Sequence, residues 1–255
     1  MAIQGDLAQI LAGLPIAVPQ CKVAVRQPKV IDIVAFGEDR FFEGVMILSK
    51  LEKTIAPLRE ANPSLQMLSD FHIMMILAEQ EPGYRKDLVD FLQFIFPEYK
   101  IEIAAGSINL RIEGESGIKG QLNPMNFEYL QSVVKTLFLP PDSRDAEDDY
   151  NPANDRAAQI AAKLKAGNEK RQAMKAAENP TTSLIANYVS ALSIGLGLDI
   201  NIIYNYTMFQ VYDSYKRMTT KLAYDFYSKV ATTPLMDVSG MTEPPHWIDD
   251  IYSHK

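Results

Sequence analysis

Cys21 is the only cysteine in the 255 residues, and together with His72 and a carboxylate brought in by the fold it is the one set of residue types that suggests nucleophilic catalysis. A thiolate attacks and an imidazole takes its proton, provided the two side chains come within hydrogen-bond reach. A lone cysteine is more commonly a small buried apolar residue. His72 lies within the apolar stretch "SLQMLSDFHIMMILAEQ", where it reads as a hydrogen-bonded core histidine. A site around Cys21 and His72 therefore stands only as an alternative. His246 and His254 are too scattered to supply a three-ligand metal centre without carboxylates that the sequence does not place. The acidic run Asp142, Asp145, Glu147, Asp148 and Asp149 lacks the alternating ligands and central glycine of a calcium loop. Gly106, Gly114, Gly117 and Gly120 fall around a predicted hairpin and read as turn residues. No P-loop, dinucleotide fingerprint, zincin helix or nucleophile elbow is present. The expectation is a protein without catalytic residues, metal or cofactor.

Binding chemistry is the stronger signal. "NYTMFQVYDSYKRMTTKLAYDFYSKVA", Asn205 to Ala231, places seven aromatic rings in one helical stretch. A tyrosine buries a large ring while its hydroxyl stays hydrated at a wet rim, which suits a protein contact surface. The expected partner-binding residues are Tyr204, Tyr206, Phe209, Tyr212, Tyr215, Tyr227 and Trp247. Phe209, Tyr212 and Phe226 also have a simpler reading as core. The basic cluster Lys163, Lys165, Lys170, Arg171 and Lys175 has no interleaved aromatics and lies among Asp155, Glu169 and Glu178, so a solvated helical face is favoured over nucleic-acid binding.

The net charge of -7 opposes sequence-independent attraction to nucleic acid or anionic membranes. One cysteine excludes an intrachain disulfide and suits a reducing compartment. The opening "MAIQGDLAQILAGLPIAVPQ" has no basic n-region and no continuous apolar core, and no apolar run approaches the roughly 20 residues that span a bilayer. The expectation is a cytoplasmic protein with neither nucleic-acid nor membrane partners.

The elements that must position these residues are mostly helical. A short helix is predicted over Gly5 to Leu14, closed by Pro15, and an extended stretch follows before a helix from Pro28 to Gly37. Further helices are predicted from Phe41, after Ser64 as cap, and through "GYRKDLVDFLQFIF" up to Pro97. The alternation in "YKIEIAAGSINLRIE" predicts one β-hairpin near residues 99–113, and Asn123 with Pro124 opens the next helix. Residues 139–152 are rich in proline and acid and read as a linker. Beyond it come an exposed alanine- and lysine-rich helix, an apolar helix ended by Gly195 or Gly197, a turn capped by Asp199, and the aromatic helix. The fold class is mainly α, with a helical domain over 1–138, a linker over 139–152 and a helical domain over 153–255.

The segments "NPANDRAAQIAAKLKAGNEKRQ", "SLIANYVSALSIGLGLDINIIYNYTMFQVYDSYKRM", "AYDFYSKVA" and "PHWIDDIYS" resemble the carboxy-terminal half of tail assembly chaperone-like proteins of long-tailed bacteriophages and prophages. "QPKVIDIVAFGEDRFF" resembles an entry segment of the same group. The resemblance implies a non-catalytic role in tail building in the host cytoplasm, holding the tape measure protein soluble and recruiting tail tube subunits, with self-association as a further option. It carries over no enzymatic residues. A structural component of the tail or baseplate is the alternative binding role.

Overall fold

A computed structural model describes residues 7–104, 106–141, 183–233 and 241–248. The linker beyond Pro141, the basic cluster, the helix predicted around it and His254 lie outside the described residues. The predicted class, mainly helical with a minor β component, is what the structure shows.

Helix α1 (Leu7–Leu11) is too short to hold by its own hydrogen bonds. Its last carbonyls, which a helix end leaves without partners, are taken up by side-chain amides. Gln27 Nε2 donates to Ile10 O and Leu14 O at 3.2 and 2.7 Å, and Gln210 Nε2 donates to Leu11 O at 2.6 Å. The stretch after Pro15 is a second hairpin, absent from the sequence-based expectation of one. Strands β1 (Ile16–Val18) and β2 (Val23–Val25) pair antiparallel around a 3-10 turn, with Lys22 left-handed at φ 59°. Three residues per strand are too few for an alternation to stand out.

Helix α2 (Val30–Phe36) turns at Gly37 into α3 (Glu38–Ser49), and a φ of 107° explains the glycine. Helix α4 (Leu51–Ala61) follows, then a 3-10 turn and α5 (Asp70–Gln80). Asn62 caps the 3-10 turn and Ser69 caps α5, replacing the predicted cap Ser64. The break arises because Leu68 and Ser69 are extended, which splits the stretch read as one helix.

Helix α6 (Pro82–Ile95) precedes a three-stranded antiparallel sheet, β3 (Lys100–Ala104), β4 (Ser107–Arg111) and β5 (Gly120–Leu122). The predicted hairpin is present, with Ile101 opposite Leu110 and Ile103 opposite Ile108, and β5 extends it. Helix α7 (Pro124–Phe138) starts as expected, the Asn123 side chain accepting from Met125 N at 2.9 Å.

The core centres on phenylalanines. Phe41 packs edge-on against Phe138 and Phe94 at centroid distances of 5.3 and 6.0 Å, and tilted against Phe91 at 5.9 Å. Helices α3 and α6 approach so closely that a Cβ on Gly44 would stand 2.3 Å from the Phe91 ring. Gly44→Ala must displace that ring. It is expected to cost about 1–3 kcal/mol by overpacking, read as a lower urea midpoint with an unchanged slope.

Candidate partner-binding surface

Helix α8 (Leu184–Leu196) opens on Ser183, whose hydroxyl accepts from Ala186 N at 2.9 Å, and closes on left-handed Gly197 at φ 65°. Helix α9 (Ile200–Tyr204) is capped by Asp199, as predicted. The terminal helix α10 (Met208–Ala231) begins with a capping box. Thr207 Oγ1 accepts from Gln210 N at 3.3 Å and Gln210 Oε1 accepts from Thr207 N at 2.7 Å. Its 24 residues extend about 36 Å.

These helices seat on the amino-terminal elements. Val30 N donates to Tyr206 O at 2.8 Å, and Lys29 Nζ to Asn205 Oδ1 at 3.0 Å. Glu38 caps α8 from outside, its Oε1 accepting from Ile185 N at 3.0 Å and its Oε2 from the Ser183 hydroxyl. A carboxylate at a helix N-terminus also meets the positive end of the helix dipole. Tyr212 donates its hydroxyl to Phe138 O at 3.4 Å.

Burial divides α10 in two. Met208, Phe209, Val211, Tyr212 and Asp213 are all buried, and Phe209 and Tyr212 belong to the core that includes α7 and α8. A partner cannot reach either ring in this arrangement, which corrects their assignment to a contact surface. The next turns are covered on one side by α8. Tyr188 meets Tyr212 and Tyr215 edge-on at 5.2 and 4.8 Å, and a Cβ on Gly195 would overlap Met218 Sδ. The two contacts advance in the same sense along both helices, so α8 ends beside Met218.

Past that point nothing among the described residues covers the line. Leu222 and Phe226, four and eight residues beyond Met218, are 59% and 61% exposed. The three positions share one helical face. At the end of α8, Ile194 and Leu196 flank Gly195 and are exposed as well, Ile194 at 83%. Phe226 is thus surface, against its reading as core. Of the other expected contact residues, Tyr204, Tyr206 and Tyr215 are half-buried against the core, and Tyr227 is half-buried on α10. Leu222, Ile194 and Leu196 were missed because periodicity marks an apolar face but does not say what covers it.

Trp247, in the tail, meets another part of α10. Its carbonyl accepts from Arg217 at 2.9 Å, and Arg217 pairs with buried Asp213 at 3.2 Å. His246 stacks on Trp247 at 5.6 Å and meets Tyr224 edge-on at 4.9 Å. The tail is therefore tied back along the helix through Arg217, with Trp247 itself 36% exposed.

The alternative around Cys21 and His72 gains no geometry from the fold. Cys21 is 1% exposed beneath Gly120, and burial pushes its thiol up to about 11, partly offset by a hydrogen bond from the Gln121 backbone. A thiol held so high is a poor nucleophile near neutrality. His72 is exposed rather than in the core, with Nδ1 2.7 Å from the Ser69 hydroxyl. Among the described residues no group of three His, Cys, Asp or Glu side chains is arranged to hold a metal, and no helix is long and apolar enough to cross a membrane. An open cleft of about 430 Å³ between α3, α4 and α6 is lined by residues including Glu43, Met46, Lys50, Tyr84 and Asp87, and by none of the predicted site residues.

Two outcomes follow from burial. Tyr212→Ala should cost about 3–5 kcal/mol, whereas Phe226→Ala should stay within about 0.5 kcal/mol of the parent, both read from denaturant midpoints. Because the folded thiol of Cys21 titrates above the unfolded one, its contribution to stability is intact below the unfolded value. It should decline as pH rises from about 9 towards 11. Cys21→Ala should flatten that part of the stability profile.

No curated protein and no solved structure matches the chain. Residues 175–252, just under a third of the chain, match the family model described as the YomV second domain, a phage-derived domain of the Bacillus prophage YomV type. The segment carrying α8, α9, α10 and the tail is therefore similar to a domain of phage proteins.

Proposed function

We propose that this protein is a non-catalytic phage tail assembly chaperone. Its terminal helix receives a helical segment of the tape measure protein in the host cytoplasm and brings tail tube subunits to it. The observation carrying this reading is the exposed apolar line of α10, Leu222 and Phe226, which no described residue covers, within the segment similar to a phage-derived domain.

The physical argument runs through area and rigidity. A few exposed apolar side chains offer on the order of a few hundred Å², below the ~1,200 Å² or more of a stable protein interface. Such a contact suits holding and release better than permanent incorporation. The line stands on a helix whose first turns are locked in the core, so little conformational freedom is lost when a partner helix docks. Partner recognition by a helix in an apolar groove uses anchors about one helical turn apart, a spacing that Leu222 and Phe226 provide.

The test is co-expression with the product of the long, helix-rich reading frame beside the gene and with the tail tube subunit. Both should co-purify with the parent protein. Leu222→Ala with Phe226→Ala should reduce recovery about tenfold with no change in melting temperature. Stoichiometric presence in purified tails would overturn the chaperone reading in favour of a structural tail or baseplate component. Full recovery of both partners with the double variant would remove α10 from the contact.

A further inference from the structure

The buried carboxylate at the base of α10 fixes a group that the tail uses. Arg217 Nε lies 3.2 Å from both carboxylate oxygens of Asp213, and its Nη1 donates to Trp247 O at 2.9 Å. We infer that residues 241–248 form a releasable strap along α10, that Arg217 is its buckle, and that the closed strap stiffens the distal turns carrying Leu222 and Phe226. The inference holds whatever those turns bind.

The buckle is set before the strap closes. Asp213 is buried, and a buried carboxylate needs a counter-charge, so the helix itself holds the guanidinium in place with or without the tail. A donor already fixed loses little freedom when a carbonyl reaches it. The second fastening is aromatic. The His246 ring meets Tyr224 edge-on at 4.9 Å and stacks on Trp247 at 5.6 Å, and its Nδ1 accepts from Ile248 N at 3.3 Å. Arg217 and Tyr224 share one face of the helix, about 10 Å apart along its axis. The strap therefore bridges about two turns of α10.

Those turns have little other support. Past Asp213 no residue of α10 is buried, and α8 accompanies the helix only as far as Met218. Beyond Met218, Tyr224 carries a second attachment. Successive residues turn about 100° around a helix, so Leu222 and Phe226, each two residues from Tyr224, stand about 200° away from it. The strap backs the apolar line rather than covering it. Its release follows from how little it buries, because of its described residues only Pro244 and His246 are half-buried and the rest are exposed. A segment with so few buried contacts opens at low cost while the core stays folded. The distal turns are firm when it is closed and loose when it is open.

Trp247 is the only tryptophan, so its fluorescence reports the strap, and hydrogen–deuterium exchange of the full-length protein, resolved by mass spectrometry, reports the helix. Arg217→Lys keeps a counter-charge beside Asp213 but loses the fork that reaches both groups. His246→Ala removes the ring bridge without touching the buried pair. In each variant Trp247 should shift its emission to the red and be quenched more readily by acrylamide. Amides of residues 219–231 should exchange at least about fivefold faster, while those of residues 208–213 and the melting temperature stay at the parent values. Removing residues 241–255 should loosen the same amides.

Parent-like exchange over residues 219–231 in both variants and in the truncated chain would overturn the strap as a stiffening device. An unchanged Trp247 signal in Arg217→Lys would remove Arg217 as the buckle. Faster exchange spread equally over residues 208–213 would mean that the substitutions weaken the whole core, and the inference fails. No partner enters these readouts, so their outcome is separate from the co-purification that tests the chaperone reading.

Discussion

Everything distinctive about this molecule depends on the burial of the first two turns of its terminal helix. Met208, Phe209, Val211 and Tyr212 are withdrawn from water among α1, α7 and α8, and Asp213 follows them in with Arg217 as counter-charge. Burying four such side chains is worth several kcal/mol relative to leaving them exposed, on the order of 1.5–3 kcal/mol each for the aliphatic and aromatic members. That anchor sets where the remaining turns of the 24-residue helix stand. Most of a helix's stability in a folded protein comes from tertiary packing of one face rather than from propensity, and here that packing is concentrated at one end.

The anchor is completed by polar groups that reach across the sequence. Gln210 serves both its own helix, through the capping box with Thr207, and α1, through Leu11 O. Glu38, the first residue of α3, closes the open end of α8. Buried or terminal backbone groups must find partners, and here those partners come from the opposite part of the chain. The helices of the phage-like segment and the described amino-terminal elements thereby contribute to one continuous apolar core, from Ile10 through the phenylalanine cluster to Tyr212. The functional consequence is rigidity at the base of α10, beside an apolar line that nothing among the described residues covers.

The site was partly legible before the fold was known. The density of rings between Asn205 and Ala231 pointed to α10, and its period located one apolar face. Period alone could not divide that face. Phe209 and Phe226 belong to the same run of three- and four-residue steps, and one is 2% exposed while the other is 61% exposed. His72 shows the same limitation, because a stretch apolar around most of its circumference gives no indication that one polar residue has turned outward to Ser69.

Local chemistry by itself determined the helix starts at Asn123, Asp199 and Thr207, the stop at Gly197 and the pairing of Ile101 with Leu110. Caps, left-handed glycines and alternating strands are set by groups within a few residues of one another, so they are written in the order of the chain. The third strand of the sheet, the outside cap from Glu38, the seating of Tyr206 on Val30 and the length of α8 against α10 were decided only in three dimensions. Each joins residues far apart in sequence or depends on where one helix ends beside another. Which aromatic rings are core and which are surface follows from that last relation, because a side chain is exposed when no neighbour reaches it, and the reach of a neighbour is a property of packing.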